Sequence, residues 1–439
     1  MPPAGPLVSV GPRRHLWQWV ERHSRGLAGE FLQLAAATAA LQGASFLIGL
    51  VLAGVLTPTG YGDWSLVLIV AGYASYAQLG ATNGMNRDVP LVRGAGDTAR
   101  AERIAAAALT GVLAATVAGI VGLLLLPRTW VSPTLPRGSL AAAGVYLAGY
   151  QLFAYVKTYF ESHKRFGWSA RLQGTVAPLA LVGAISLGVT AGVPGAVAGM
   201  GIGYFLGSIV TWRWDGGQVR PLWDAQALRA LVRVGLPIML VGLAQALMVT
   251  IDRWVILRYL GPEAVGLYSF QARLLSFTPL FAGLVAGQTY PRAAEAYGRT
   301  GDPRSILPHL RTQAVATLVL TALSAIMLWI ILPLLVPVLW PAYEPSLSLL
   351  PIMLIGMVIL PQCGAFGVIL NVLDRQVSYL AIQVAMIGLG LALSMWLTMS
   401  PLGLRGAALA ATLTYALYLL ALLILTLRVV RSLSPQAAG

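Results

Sequence analysis

Long apolar runs separated by short polar connections dominate the hydrophobic pattern of this chain. The runs recur from residue 31 to residue 427, and most have the length of about 20 residues that a helix needs to cross a hydrocarbon core roughly 30 Å thick. Transmembrane β-strands are excluded, because they alternate apolar and polar residues over about 10 positions. The pattern predicts an all-α polytopic membrane protein. The twelve predicted spans are 31–56, 64–86, 102–126, 138–160, 168–191, 195–214, 234–257, 264–290, 310–336, 346–371, 377–399 and 404–427.

The connections between these spans alternate in charge. Most of the 29 basic residues lie in the amino-terminal segment and in every second connection. Short cytoplasmic loops collect Lys and Arg, so both termini are predicted to be cytoplasmic. The first 29 residues carry no cleavable signal pattern and are predicted to form a leader, either an interfacial helix or a disordered basic segment. The opposite connections hold only Arg128, Arg137, Arg258 and Arg405.

Composition agrees with a membrane protein and narrows the possible chemistry. The 439 residues are 57% hydrophobic and 10% charged, against about 25% charged in soluble proteins. A net charge of +14 is explained by loops that face anionic lipid headgroups, so we expect membrane lipid and no nucleic acid as a partner. Cys363 has no cysteine partner. Without a phosphate-binding loop or metal-spaced histidines, we expect no enzyme, no cofactor and no metal.

The chain is predicted to consist of two related halves. The segment VLAGVLTPTGYGDWSL (51–66) aligns without a gap with VILRYLGPEAVGLYSF (255–270), which places Gly62 on Gly266. Because six spans separate the two copies, the halves share one orientation and form parallel repeats. The predicted domains are a cytoplasmic leader (1–29), an N-terminal six-helix lobe (30–214), a cytoplasmic linker (215–233), a C-terminal six-helix lobe (234–431) and a cytoplasmic tail (432–439).

The second copy of this turn is flanked by charges at membrane depth. Asp252, Arg253 and Arg273 interrupt the apolar runs on either side of Gly261, which puts them roughly 13 to 18 Å from the turn along the helices. A charge at that depth is costly and usually faces a partner or a wet cavity. On one interpretation the two arginines bind an anionic substrate, while Asp252 orients one of them or exchanges protons. On the other, Asp252 and Arg273 form a buried pair that fastens span seven to span eight.

Uncharged polar residues on the spans are the remaining candidates for a cavity. Their amides could hydrogen-bond sugars, and they could equally join helices to one another. These candidates, together with Arg87 at the end of span two, are Gln42, Gln78, Asn83, Asn86, Gln245, Gln271 and Gln288.

Four segments taken together resemble one transporter family. They are GASFLIGLVLAGVLTPTGYGDWSL (43–66), NGMNRDVPLVRGAGD (83–97), DRWVILRYLGPEAVGLYSFQARL (252–274) and GLRGAALAATLTY (403–415). In this order they resemble the polysaccharide-transporter or O-antigen flippase family of the multidrug, oligosaccharidyl-lipid and polysaccharide exporter (MOP) superfamily. The peptidoglycan-precursor flippases of that superfamily typically have fourteen spans and an arginine in the first helix, which this sequence lacks.

The resemblance implies two six-helix lobes in a V shape around a central cavity that opens alternately to either side. It also implies transport of polyprenyl-diphosphate-linked oligosaccharides across the bacterial cytoplasmic (inner) membrane. A polysaccharide polymerase or ligase then uses them at the outer leaflet. Two alternatives stay open. An ion-coupled multidrug antiporter of the same superfamily would need an acidic cavity, for which Asp252 is the main candidate, and a scaffold without transport would have no polar cavity.

Overall fold

The computed structural model describes residues 13–433 except 218, 277–282, 284, 286–288, 290–291, 294, 301 and 374, and it describes only the backbone of 13–28, 30–31, 303, 368–369, 371–372, 376 and 431–433. These residues are helical almost throughout, and no strand occurs among them. Candidate Gln288 lies outside the described residues. The all-α polytopic fold class is therefore confirmed.

The first half contains seven helices. Long helices form where apolar residues continue for several turns, and each ends at a Pro, Gly or polar connection. The helices are α1 (Arg13–Val55), α2 (Pro58–Ala74), α3 (Ala81–Gly94), α4 (Thr98–Leu125), α5 (Arg128–Val131), α6 (Ser139–Ser162) and α7 (Phe166–Trp214), with a 3₁₀ turn at Ser75–Gln78.

The second half is also helical, with more breaks between its described helices. Its helices are α8 (Ala225–Met248), α9 (Ile251–Leu260), α10 (Pro262–Leu275), α11 (Leu307–Leu339), α12 (Leu350–Val372), α13 (Gln376–Thr398) and α14 (Gly403–Leu433), with 3₁₀ segments at Pro303–Ile306 and Pro341–Leu349. Predicted span seven is thus α8 and α9 in succession, and predicted span eight begins as α10.

Nine helical segments of the described residues are long and apolar enough to cross a membrane, or ten when the bent pair Pro58–Gln78 and Ala81–Gly94 counts as one span. Predicted spans five and six both lie within α7, whose 49 residues are interrupted at Gly192 by a backbone φ of 60°. The residues of predicted span eight after Ser276 are described only in part. The number of twelve spans, the lobe boundaries and the parallel repeat therefore remain predictions.

The two halves touch where the repeated turns lie, at a place we call the turn end of the bundle. Gly62 on α2 lies against the carbonyl oxygen of Pro262, and Gly266 on α10 lies against that of Pro58, so neither position has room for a β-carbon. The glycines that the sequence aligned therefore permit backbone contact between α2 and α10.

Two side chains from the segment Pro341–Leu349 and its cap reinforce this contact. Trp340 Nε1 donates a hydrogen bond of 2.9 Å to the carbonyl oxygen of Leu50, and Tyr343 Oη donates one of 2.9 Å to that of Leu56. Both acceptors lie on or next to α1. The turn end is consequently closed by backbone contact and by hydrogen bonds between the halves.

The halves also touch near the start of α8, which we call the linker end. Span two bends by 48° between its two helices, at Leu79 and Gly80, whose φ angles are 52° and 81°. Gly80 lies directly against the backbone of Gly235 on α8. Residues of α2 and α9 between the two contacts line the cavities described next, together with residues of other helices.

Candidate functional site

The charged hairpin lies at a break in predicted span seven. Between α8 and α9 the chain departs from the helix at Val249 and Thr250, which leaves carbonyl groups without their usual partners. Side chains supply them: Arg253 Nη1 donates to the carbonyl oxygen of Val249 at 2.9 Å, and Thr250 Oγ1 donates to that of Ala246 at 2.5 Å. The break thus stays hydrogen-bonded inside the membrane.

Asp252 is bound to its own hairpin rather than to Arg273. The carboxylate is buried, and it accepts hydrogen bonds from the hydroxyl of Tyr268 and from the backbone N–H of Arg253 at 2.8 Å. No ion pair joins Asp252 to Arg273 anywhere in the described part of the chain. Of the two interpretations left open by the sequence, the buried pair of Asp252 and Arg273 is not the arrangement found, because the carboxylate binds Tyr268 instead.

Arg253 is anchored at one edge and open at the other. Its Nε donates to Ser269 Oγ at 3.2 Å, and its guanidinium carbon lies 5.7 Å from the ring centre of Tyr268. Tyr268 and Ser269 therefore hold α9 to α10. Both residues lie within the aligned segment 255–270, and the sequence signal that identifies them is their spacing of 16 residues from Asp252 and Arg253 across the turn.

Arg273 is the second cation of the hairpin. Its guanidinium carbon lies 5.6 Å from the ring centre of Trp64 on α2, a distance at which a cation is attracted to the ring face. No carboxylate lies within 4 Å of its guanidinium nitrogens among the described residues, whereas Arg103 pairs with Asp224 and Arg165 with Asp215. Arg273 is consequently a cation at membrane depth for which the described residues supply no counter-ion.

Both arginines lie on the wall shared by two cavities. The C-half cavity, of about 390 Å³, lies against α12 and α14 and is lined by Asp252, Tyr268, Met353, Met357 and Tyr415, among others. The N-half cavity, of about 370 Å³, lies against α2 and α6 and is lined by Tyr73, Tyr76, Tyr146 and Tyr150, among others. Each volume falls in the range of small-molecule sites. The residues common to both linings are Trp64, Ser65, Thr250, Arg253 and Arg273.

The other candidates named from the sequence lie away from these cavities. Gln78 accepts hydrogen bonds from Thr82, Gln245 accepts one of 3.1 Å from Gln383, and Gln271 accepts one of 3.3 Å from Ser346. These contacts join neighbouring turns or helices. Neither cavity is lined by any of the described candidates Gln42, Gln78, Asn83, Asn86, Arg87, Gln245 and Gln271.

The structure thus brings Asp252, Arg253 and Arg273 together and adds residues that the sequence did not single out. Trp64, Tyr268 and the tyrosines of the N-half cavity are aromatic residues within apolar spans. Such residues carry no sequence signal that separates a cavity wall from a packed interior, so only the fold identifies them.

Comparison with known proteins places the fold. Residues 139–297 match the family model described as polysaccharide biosynthesis protein. A comparison with curated proteins found no match. This match agrees with the resemblance predicted from the sequence over that segment, and the solved structures show that the chain shares the fold of MOP superfamily transporters.

Three of those structures illustrate the likeness. An inward-facing multidrug resistance MATE family transporter of the MOP superfamily is 15% identical with a TM-score of 0.76, over 92% of this chain and 100% of that one. The lipid II flippase MurJ, in an inward closed conformation, is 11% identical with a TM-score of 0.73, over 92% and 90%. A MOP superfamily transporter from Pyrococcus furiosus with a binding pocket of reverse polarity is 15% identical with a TM-score of 0.66, over 92% and 94%.

Proposed function

We propose that this protein is a flippase that moves a polyprenyl-diphosphate-linked oligosaccharide across the bacterial cytoplasmic membrane by alternating access. The observation that carries the proposal is the position of Arg253 and Arg273 on the wall shared by the two cavities, with no ion pair to either side chain in the described chain. Guanidinium groups bind phosphate oxygens through paired, charge-assisted hydrogen bonds. A diphosphate is the part of such a substrate that needs them.

The geometry of the arginines leaves room for this ligand. The hydrogen bonds of Arg253 use Nε and Nη1, and its Nη2 donates to no acceptor in the described residues. The guanidinium of Arg273 lies beside the ring of Trp64, which attracts a cation without using its donors, and it also interacts with the hydroxyl of Tyr61. Two sets of donors therefore remain for one anionic group.

The setting of the proposed reaction follows from the charges of the loops. Basic connections on one side favour cytoplasmic termini, and in that orientation the substrate is delivered to the outer leaflet for cell-surface polysaccharide assembly. A polymerase or ligase that consumes the lipid-linked oligosaccharide is the expected partner, with membrane lipid as the surroundings. The fold shared with a lipid II flippase supports a lipid-linked substrate.

A drug antiporter fits the same site less well. A cationic drug needs a free carboxylate in the cavity, whereas that of Asp252, which lines the C-half cavity, already accepts two hydrogen bonds within its own hairpin. The described lining of the N-half cavity contains two arginines and no Asp or Glu. These arginines repel a cationic ligand at close range.

A scaffold without transport is argued against by the polar lining of both cavities.

The test is a flipping assay on full-length protein reconstituted into liposomes with a fluorescent polyprenyl-diphosphate-linked sugar. We expect Arg253→Ala and Arg273→Ala each to slow flipping by about 10-fold or more, since a hydrogen bond to a charged group contributes about 1.5 to 3 kcal/mol. Arg258→Ala is the matched control, because Arg258 lies on the same hairpin but is exposed and stacks on Tyr259. Normal flipping by both cavity variants would overturn the proposal.

A further inference from the structure

One wall of the N-half cavity is formed by four tyrosines, two of which are stacked. The rings of Tyr146 and Tyr150, one turn apart on α6, lie 5.8 Å apart and within 13° of parallel. Tyr73 and Tyr76 on span two face the same cavity. We call these four residues the tyrosine wall. All four line the cavity and are only partly buried, so part of each side chain faces a ligand placed there.

Packing behind the wall fixes the stacked pair. Tyr204 on α7 lies edge-on to Tyr146 at 6.0 Å and to Tyr150 at 5.8 Å, and Phe153 lies 5.2 Å from Tyr204. The backbone of Tyr146 would be 2.5 Å from a β-carbon at Gly201, so α6 and α7 are in direct contact there. The two rings are therefore held in place before any ligand arrives.

The wall faces polar and cationic groups. Tyr73 Oη and Thr250 Oγ1 share a hydrogen bond of 2.5 Å, and Ser65 and Ser75 add hydroxyl groups to the lining. Arg253 and Arg273 close the side that the two cavities share. Stacked rings beside hydroxyl donors and acceptors suit a ligand that is apolar on one face and hydroxylated at its rim.

A sugar ring has this character. Its axial C–H groups carry partial positive charge and pack on the negative face of an aromatic ring, while its hydroxyl groups exchange hydrogen bonds with tyrosine and serine. A cationic ligand is disfavoured by the two arginines. An acyl chain is disfavoured because it would leave the hydroxyl groups of the wall without partners.

We propose that the tyrosine wall is the subsite for the sugar attached directly to the diphosphate, with Tyr146 and Tyr150 as its stacking surface. The inference rests on the proposed function, because the arginines must hold the diphosphate for the first sugar to reach the adjoining cavity. It assigns the two ends of the headgroup to different elements: the anion to the α9–α10 hairpin and the first sugar to α2 and α6.

The test compares binding with and without the sugar. Full-length protein in lipid nanodiscs is titrated with polyprenyl diphosphate and with the same lipid carrying one glucose, galactose, N-acetylglucosamine or N-acetylgalactosamine. We expect at least one glycosylated lipid to bind the native chain roughly 10-fold more tightly than the bare diphosphate, from the contribution of stacking on aromatic rings. Tyr150→Leu should remove this difference and leave the affinity for the bare diphosphate unchanged.

Three further variants separate the roles. Tyr150→Phe keeps the ring and should keep most of the sugar-dependent gain. Tyr415→Leu, which alters an aromatic residue of the C-half cavity, should leave the gain intact. Arg273→Ala should weaken binding of all the lipids alike, and correct folding of each variant is checked by its thermal unfolding in detergent.

The outcomes distinguish the two proposals. If bare and glycosylated lipids bind the native chain equally well, or if Tyr150→Leu weakens both equally, the sugar subsite is overturned while diphosphate binding stands. If Tyr415→Leu rather than Tyr150→Leu abolishes the gain, the sugar lies in the C-half cavity and the assignment is wrong. If none of the lipids binds the native chain, the flippase proposal falls together with the subsite.

Discussion

Arg273 crosses α1 at Gly49, and the glycine determines where the arginine can lie. A β-carbon at residue 49 would be 2.8 Å from both Cγ and Nε of Arg273, closer than non-bonded atoms approach. The stem of Arg273 therefore occupies space that only glycine leaves open. The contact connects α1 in the first half with α10 in the second and holds the guanidinium beside Trp64.

Gly49→Ala should displace Arg273 and impair transport without preventing folding. The added methyl group forces the arginine stem to move, and a displacement of about 1 Å at a positioned group can reduce a rate roughly 100-fold. We expect the flipping rate in liposomes to fall by at least about 10-fold. Gly43→Ala is the control. Gly43 lies on the same helix as Gly49, and a β-carbon there would have no neighbouring atom within 4 Å. Equal rates for the two variants would show that Gly49 does not position Arg273.

Tyr268→Phe should destabilise the hairpin. It removes the hydroxyl that donates to the buried carboxylate of Asp252, and a buried acceptor left without its donor costs about 1 to 3 kcal/mol. The measurement is the thermal unfolding temperature in detergent. Tyr204→Phe is the comparison, since the hydroxyl of Tyr204 has no hydrogen-bond partner in the described part of the chain. Unfolding temperatures lowered equally in both variants would contradict the role of Tyr268.

The sequence predicted how deep the charged residues lie in the membrane but not the direction in which their side chains point. Counting residues from Gly261 put Asp252, Arg253 and Arg273 at membrane depth, and all three line the C-half cavity. Depth along a helix does not say which way a side chain points, and the departure from helix at Thr250 changes that direction for the residues after it. The sequence therefore left two arrangements of Asp252 open, and only the structure shows that its carboxylate binds Tyr268 rather than Arg273.

The glutamine side chains also show that polarity in a predicted span does not identify a cavity residue. Gln245 and Gln271 are polar residues in apolar spans, which makes them look like cavity residues in the sequence. In the structure they bind Gln383 and Ser346 on neighbouring elements. Tyr146 and Tyr150 look like ordinary apolar residues and yet face a cavity. Only the packing of helices, which depends on contacts distant in the sequence, separates these two cases.

Gly62→Ala should open the turn end. Gly62 touches the backbone of Pro262, so a methyl group there must push α2 and α10 apart. The variant is made with Cys363→Ser and Ser65→Cys, because Cys363 is the sole cysteine and Ser65 lines both cavities. We expect faster labelling of the new cysteine by a membrane-impermeant maleimide added on the side of the turn end, by roughly 10-fold if the closed state loses about 1.4 kcal/mol.

Gly60→Ala is the matched control for this experiment. Gly60 lies on α2, two residues before Gly62. A β-carbon at Gly60 would meet Thr57 Oγ1 at 3.5 Å, an ordinary van der Waals distance. Its labelling rate should equal that of the parent. If Gly62→Ala labels no faster than Gly60→Ala, the glycine contact is not what keeps the turn end closed.

Acid should destabilise the linker end through His163. The imidazole follows α6 and is buried, with Nδ1 2.8 Å from the carbonyl oxygen of Tyr159 and Nε2 3.3 Å from Glu102 Oε1. Burial lowers the pKa of His163 below its ordinary 6.5, and the nearby Glu102 carboxylate opposes this shift without reversing it. The unfolded chain therefore binds a proton at a higher pH than the folded chain does, so stability is full above pH 6.5 and falls as the pH drops below it.

His163→Gln should reduce this acid sensitivity. The variant cannot take up the proton that favours the unfolded chain, so its unfolding temperature should fall less than that of the native chain between about pH 7 and about pH 5. His309→Gln, at a partly buried position on α11, is the control and should keep the native slope. The measurement is thermal unfolding in detergent across that range. Identical slopes for the native chain and His163→Gln would show that another group causes the acid sensitivity.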